Sequence, residues 1–458
     1  MDWKGKKVLV CGMARSGVAA ARTLSELGAC VTISDRKKEE ELDADLDDLR
    51  AKGCTFQLGE DPGDPAGSYD AIVISPGIPY VAPFVEKAIE AGIPVLGELE
   101  LGAELTRGDL IAITGTNGKT TTTTLVGEFF HAAGHETFVV GNIGYPITET
   151  VLRTSEKSVT VAEVSSYQCE SMIDFHPKVA AILNITEDHL ARHGTMEVYI
   201  GMKMRIFRKQ TTEDFAVLNY DDETCRKMTE KINARVLWFS RKHVVSSGAY
   251  VLDGKVVLAG QEQDPICRCD EIRIPGSHNL ENALAAVAIA SCLGVPSRCM
   301  RNVLMTFPGV EHRIETVREL DGVEWINDSK GTNVDSTLKA IDTMTRPTVL
   351  ILGGSDKKVS FVPLAKAIAA SPVIRLCVLI GDTAEQIRSA LQEEGYTKYR
   401  MAGYDFDHCL AICRKEAIAG GCVLLSPACA SFDMFHDFED RGRVFKQKVL
   451  AFTEQAKT

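Results

Sequence analysis

The sequence predicts an α/β protein of three domains, built from mostly parallel sheets under helices with one small antiparallel insert. Three observations carry this reading. The length of 458 residues is about three times the usual domain size of roughly 150. Short β-rich runs recur and are each followed by a helical pattern, the alternation that builds parallel sheets covered by helices. Residues 234–275 break the alternation, with strand candidates separated by Gly-containing turns and no helix.

The first series of strand candidates runs through 8–11, 31–35, 71–75, 110–114, 139–141, 159–164 and 179–184. The series resumes at 323–327, 349–352, 377–380 and 423–425. Between them, 236–239, 249–252 and 255–258 form the expected antiparallel insert. Pro94 and Gly97 punctuate one seam at 92–97, and a Phe-Pro-Gly turn at 307–309, after the helical segment 280–293, marks another. The expected domains are therefore 1–97, 98–308 and 309–458. The acidic run 39–48 places Leu42, Leu46 and Leu49 at helical spacing and reads as a solvated helix face.

Composition narrows the function classes. With 51 Lys+Arg against 63 Asp+Glu the formal charge is −12, which argues against nucleic acid as a partner. Hydrophobic residues at 45% and charged residues at 25% are those of an ordinary globular protein. The 14 cysteines are scattered and contain no Cys-x-x-Cys pair, so a reducing compartment is expected. Arg15 interrupts the apolar run that starts at Val8, which argues against a secretion signal. No window approaches the roughly 20 apolar residues of a membrane span, and the expected location is cytoplasmic.

The sharpest local signal is a buried-strand pattern, Ile111-Ala112-Ile113-Thr114, running into Gly115-Thr116-Asn117-Gly118-Lys119-Thr120 and then a helix. The glycines let backbone N–H groups turn toward phosphate oxygens, and the helix adds the positive end of its dipole. Lys119 is suited to terminal phosphates and the Thr120 hydroxyl to a magnesium ion. The full phosphate-loop spacing asks for a glycine where this chain has Ile113. Two neighbouring strand tips point to the same site, one with Glu163 before Ser165 and Ser166, the other running Asn184-Ile185-Thr186-Glu187-Asp188-His189. The alternative for His189 and His193, an i,i+4 pair at a helix start, is a surface pair or a zinc half-site, and no Cys or acidic partner stands at zinc spacing.

These motifs, with His278-Asn279-Leu280-Glu281-Asn282-Ala283, resemble the Mur ligase family of peptidoglycan precursor enzymes, whose loop also lacks the early glycine. The resemblance spans essentially the whole chain. It implies Rossmann-like terminal domains around a central phosphate-loop ATPase-type domain. It also implies ATP-driven amide formation, in which a substrate carboxylate becomes an acyl phosphate that an amino acid's amine attacks. By that resemblance ATP is bound by Gly115, Thr116, Asn117, Gly118, Lys119, Thr120 and Thr121, with Asn282, Arg313 and Asp328. Two Mg2+ ions, with Mn2+ as a substitute, would be held by Thr120, Glu163 and His189. Lys203, in Gly201-Met202-Lys203-Met204-Arg205, resembles the family's carbamylated lysine, which would make it a further ligand beside the metal. Asp328 and Lys330 would flank ATP and the incoming amine.

At the N-terminus, Gly12 and Gly17 supply two of the three glycines of a dinucleotide fingerprint, with Ala14 in the middle position and Asp35 ending the next strand. Those residues by themselves allow a nicotinamide site. The family resemblance implies instead a UDP moiety contacted by Ser16, Asp35, Arg36, Ser75, Pro76 and Gly77, with Asn142 and Ser165 touching the substrate from the central domain. The C-terminal segments Asn327-Asp328-Ser329-Lys330-Gly331-Thr332-Asn333 and Ser426-Pro427-Ala428-Cys429-Ala430-Ser431-Phe432-Asp433 resemble the D-glutamate-adding branch of the family. Thr332, Lys357, Ser431 and the Phe438 backbone match its D-glutamate positions. The substrates implied are UDP-N-acetylmuramoyl-L-alanine, D-glutamate and ATP, used by a cytoplasmic monomer. The alternative is a related ligase such as a folylpolyglutamate synthase, which has no UDP-type domain ahead of the loop.

Overall fold

The computed structural model describes residues 2–42, 46–356 and 358–453. The chain divides into two compact units, Met1–Ile272 with Leu280–Thr306, and Arg273–Asn279 with Phe307–Thr458. The described strands form three sheets.

The first sheet is all parallel, in the order β3-β2-β1-β4-β5: β1 (Lys7–Cys11), β2 (Cys30–Asp35), β3 (Thr55–Leu58), β4 (Ala71–Ile74) and β5 (Val95–Gly97). Its central strand β1 carries Val8, Leu9 and Val10 with no exposed surface, as a strand covered on both faces requires.

The second sheet has nine strands. They are β6 (Asp109–Thr114), β7 (Thr137–Gly141), β8 (Val159–Glu163), β9 (Val179–Ile182), β10 (Phe215–Asn219), β11 (Arg235–Ser240), β12 (Gly248–Leu252), β13 (Lys255–Leu258) and β14 (Cys267–Arg268), in the order β14-β13-β12-β11-β10-β9-β6-β8-β7. Because β6 lies between β9 and β8, the chain order reverses at its C-terminal tip, where open α/β sheets bind ligands. That tip carries the glycine loop.

The sheet of the second unit runs β15-β16-β20-β17-β18-β19. Its strands are β15 (Glu315–Leu320), β16 (Val323–Asn327), β17 (Thr348–Gly353), β18 (Ile374–Ile380), β19 (Tyr399–Gly403) and β20 (Cys422–Leu425). Only β15 pairs antiparallel in it.

The α/β class and the parallel alternation stand, two local expectations do not, and several strands were not foreseen. The expected insert is antiparallel only in part: β12, β13 and β14 pair antiparallel, but β11 pairs parallel with β10 and β12 with β11, so the stretch extends the central sheet. The acidic run is not one helix. It gives a short turn Glu39–Glu41 and a helix Asp47–Ala51, with Leu46 and Leu49 buried as the apolar side of the pattern. Residues 43–45 of that run lie outside the described residues. The seam at 92–97 carries the last strand of the first sheet, β5, whose pairing to β4 outweighs the local turn signal of Pro94. The strands β3, β10, β15 and β19 carry charged, Gln, Asn or Gly residues that obscure their pattern and take their place through pairing. All 14 cysteines are free thiols. Among the described residues no helix is long and apolar enough to cross a membrane.

Candidate active site

The glycine loop is built for close approach. Gly118 caps the helix Lys119–Ala132 in a left-handed conformation (φ 85°), and a Cβ there would collide with Asn282 Oδ1. Ile113 has no exposed surface inside β6, so the turn begins at Gly115 and the missing early glycine is not needed for it. Asn184 braces the loop from the β9 side: its Oδ1 accepts from Asn117 N–H at 2.8 Å, its Nδ2 donates to Asn117 O at 3.0 Å, and its own carbonyl accepts from Thr116 N–H at 3.0 Å. The loop is therefore preset, with the helix dipole directed at it. Lys119 Nζ donates to Gly115 O at 3.0 Å and Thr116 O at 2.8 Å. Thr120 and Thr121 are buried in the first turn of the helix, and Thr121 Oγ1 has no hydrogen-bond partner among the described residues.

Glu163 ends β8 and is fully buried. Its Oε1 accepts from Asn142 Nδ2 at 2.8 Å, while Oε2 has no hydrogen-bond partner among the described residues. A buried carboxylate oxygen left this way is costly unless a cation meets it. Lys203, 1% exposed, donates to Gly115 O at 2.8 Å and to Thr114 Oγ1 at 3.2 Å. Loss of hydration, then repulsion from Lys119, brings its pKa down to about 7. Tyr199, one turn earlier on the same helix Met196–Met204, lies under it, with its ring centroid 4.7 Å from Lys203 Nζ and its hydroxyl 3.1 Å from Thr116 Oγ1. Sequence reasoning missed Tyr199; its i,i+4 spacing to Lys203 was the available signal.

His189 caps the short helix Leu190–His193 with φ 55°. Tyr167 Oη stands 3.1 Å from its Nδ1, and the Asp188 carboxylate 3.5 Å from its Nε2. His193 is not the surface residue of that alternative: it is buried, its Nε2 3.0 Å from Ser166 Oγ, because the short helix turns it inward against Tyr167 and Tyr199. Ser165 caps the helix Ser166–Cys169.

At the tip of the first sheet a cleft is lined by Cys11, Gly12, Asp35, Arg36, Gly77 and Phe84 among others. Asp35 accepts from Met13 N–H at 2.7 Å and from Lys37 N–H at 2.9 Å, so its carboxylate orders the turns on both sides. Ser75 Oγ donates to Gly12 O at 3.2 Å, and Arg36 pairs with Asp61 at the rim. Ser16 stands half-buried in the first turn of the helix Arg15–Glu26, and Pro76 is half-buried beside Gly77.

In the second unit, Asp328 follows β16 and is 1% exposed. It accepts from Ser426 Oγ at 2.7 Å and Ile314 N–H at 3.2 Å, and burial pushes its carboxyl up to about 6 against the pull of Arg313. Arg313 Nε is a buried donor with no partner among the described residues. Lys330 Nζ lies 5.0 Å from the Phe438 ring centroid. The Phe438 carbonyl is occupied by Ser329 Oγ at 2.8 Å. Thr332 is half-buried, and Ser431 is buried with its hydroxyl unpartnered among the described residues. Lys357 lies outside the described residues. Arg441, unexpected from the sequence, is fully buried and donates to Ser329 Oγ and O and to the carbonyls of Cys429 and Ala430 at 2.8–3.2 Å. It ties the segment of Asp328 and Lys330 to the segment of Ser431.

A parallel α/β fold with a glycine phosphate loop, a buried carboxylate and a buried lysine at one sheet tip is that of a phosphate-loop enzyme. Family models match along the chain: a Mur ligase MurD-like N-terminal domain at 6–97, a Mur ligase middle domain at 113–290 and a Mur ligase glutamate ligase domain at 312–429. The chain belongs to the Mur ligase family. It is 46% identical over 451 residues to the UDP-N-acetylmuramoylalanine–D-glutamate ligase of Clostridioides difficile (strain 630), covering 98% of this chain and 99% of that one. The enzyme of the same name from Pelotomaculum thermopropionicum is also 46% identical, covering 98% of each chain. In fold the chain is similar to the UDP-N-acetylmuramate-alanine ligase of Thermotoga maritima, with a TM-score of 0.64 at 19% identity, covering 97% of this chain and 99% of that one.

Proposed function

We propose that this chain joins D-glutamate to the carboxyl group of UDP-N-acetylmuramoyl-L-alanine and cleaves ATP to ADP and phosphate. The observation that carries the reading is the preset glycine loop with Lys119 at its end, beside a buried Glu163 oxygen that has no partner among the described residues. Full-length relatives named for this reaction support it.

Chemistry of this kind requires stabilisation of charge on a phosphoryl group in flight, and needs no protein nucleophile. Lys119 and the loop N–H groups of residues 115–121 hold the phosphates, with Asn282 beside Gly118. The Glu163 carboxylate and the Thr120 hydroxyl are the oxygen donors that hard divalent cations take, so Mg2+, with Mn2+ as a substitute, is assigned to them, with His189 as a nitrogen donor carried over from the family resemblance. When bound, the metal neutralises charge on the phosphates and the substrate carboxylate. Lys203 reaches the neutral amine near pH 7, the form that adds CO2 to give a carbamate and a proton, and the resulting anion suits a metal site where an ammonium does not.

The three pieces 1–97, 98–308 and 309–458 divide the labour. Ser16, Asp35, Arg36, Ser75, Pro76 and Gly77 receive the UDP end, and Asn142 and Ser165 the rest of the sugar nucleotide. In the second unit Arg313, Asp328 and Lys330 are assigned to the nucleotide and incoming amine, and Thr332, Lys357, Ser431 and Phe438 to D-glutamate. The protein acts as a cytoplasmic monomer.

Phosphate release is the test. It is expected only when the sugar nucleotide and D-glutamate are both present. Equal release with L-glutamate, or with a pteroyl substrate, overturns the reading in favour of a folylpolyglutamate-synthase-like ligase.

A further inference from the structure

The polar contacts between the helices of the first sheet and the loop of Asn142 converge on Glu98. This residue opens the helix Glu98–Leu105 directly after β5 and is 2% exposed. Its Oε1 accepts from Thr148 N–H at 2.8 Å and from Thr148 Oγ1 at 2.7 Å. Thr148 O in turn accepts from Thr23 Oγ1 at 2.8 Å, and Thr23 shares its helix with Ser16. Thr148 sits in the short turn Ile147–Glu149, a few residues beyond Asn142. Beside it Ile147 presses on the same helix as Glu98, where any Cβ at Gly102 would overlap it. The intervening chain is tied as well, with Gly141 N–H donating to Tyr145 O at 2.9 Å and Asn142 Nδ2 to Glu163 Oε1 at 2.8 Å.

Stability alone does not explain a carboxylate here. Among the described residues Glu98 has no ion pair, so its negative charge is desolvated without a cation in return. Burial, with Glu149 adding repulsion, raises its carboxyl to about 7. A residue that carries this cost while gripping one threonine at a junction between two sheets is explained by geometry.

We propose that Glu98 is a positioning residue for the sugar nucleotide, an inference that rests on the ligase reading. Through Thr148 it holds the Asn142 loop at a set distance from the first-sheet cleft, so that a substrate bound in the cleft by its nucleotide presents its carboxyl end at Glu163. The residue touches no reacting atom and acts through Thr148 and Asn142.

Steady-state phosphate release by Glu98→Ala, Glu98→Gln and Thr148→Val tests this, with hydrogen exchange of residues 141–150 measured without substrate. Glu98→Ala is expected to raise KM for the sugar nucleotide about tenfold, the size of one to two buried hydrogen bonds, and to leave KM for ATP within about twofold. Glu98→Gln keeps the accepting oxygen and is expected to retain near wild-type KM. Exchange of 141–150 is expected to speed up in Glu98→Ala while that of 114–120 stays unchanged. An unchanged sugar-nucleotide KM and unchanged exchange in Glu98→Ala overturn the proposal. So does a parallel loss in both KM values and kcat that Glu98→Gln shares, which marks a bulk structural role. Should Glu98→Ala fail to fold, Thr148→Val loses one hydroxyl only: a rise of about threefold confined to the sugar nucleotide supports the proposal, and none overturns it. Wild-type protein without D-glutamate-dependent release refutes the ligase reading instead, and the exchange measurement still decides whether Glu98 holds the loop.

Discussion

Lys203 in the first unit and Arg441 in the second are both buried basic groups without a carboxylate in a short ion pair among the described residues, and both donate to backbone carbonyls. Their chemistry separates them. Burial and Lys119 bring Lys203 down to about 7, within reach of its neutral form, while burial brings Arg441 only to about 10 and it stays charged. The first is a reactive amine held beside a phosphate loop, the second a permanent charge that fastens two segments together. Burial supplies reactivity only where the buried group can lose its proton.

The comparison is most exposed at the loop next to Lys203. Lys119→Ala is expected to lower phosphate release about 10²–10³-fold, the usual effect of deleting one preorganised charge donor, and a loss below about tenfold detaches Lys119 from the phosphoryl group. Lys203→Ala is expected to lose about 100-fold and to regain activity with added short-chain carboxylic acids, which replace the carbamate; full activity without them removes Lys203 from the chemistry. Arg441→Leu leaves several buried carbonyls without donors, so the denaturation midpoint of the second unit should fall by the equivalent of about 3 kcal/mol, with Arg441→Lys recovering part of it. A midpoint unchanged in Arg441→Leu means the guanidinium fastens nothing.

The last test is in pH. Asp328 has a folded pKa of about 6 against an ordinary 3.8, so its contribution to stability is fully present below 3.8 and is lost as pH rises through 6, by about 3 kcal/mol. Lys203 has its folded value below the ordinary one, so its contribution is present above 10.5 and lost as pH falls through 7. Unfolding midpoints of Asp328→Asn should therefore be flatter than wild type between pH 4 and 6, and those of Lys203→Met flatter between 7 and 10. Parallel curves for wild type and variant refute the assignment for that residue.

Much of the first-unit site was readable because its residues stand on continuous segments. The run from Ile111 to Thr120 encodes a strand, a turn and a helix start in ten consecutive residues, and Glu163 ends its own apolar strand. The burial of His193 was not readable, since a short helix facing outward or inward has the same spacing. Arg441 and Glu98 were not readable either. A charged residue in an amphipathic helix is ordinarily solvated, and only the loops of residues 329 and 429–430, or the turn at 147–149, turn these two into anchors.

Local pattern by itself determined the α/β class, the glycine loop and the candidate ligands at strand tips, because period, turn chemistry and strand ends are properties of neighbouring residues. Tertiary structure alone decided which charges are buried, that β11 extends the central sheet, and which side chains meet across distant segments. Pairing and desolvation depend on residues far apart in the chain, and no short stretch of sequence contains both partners.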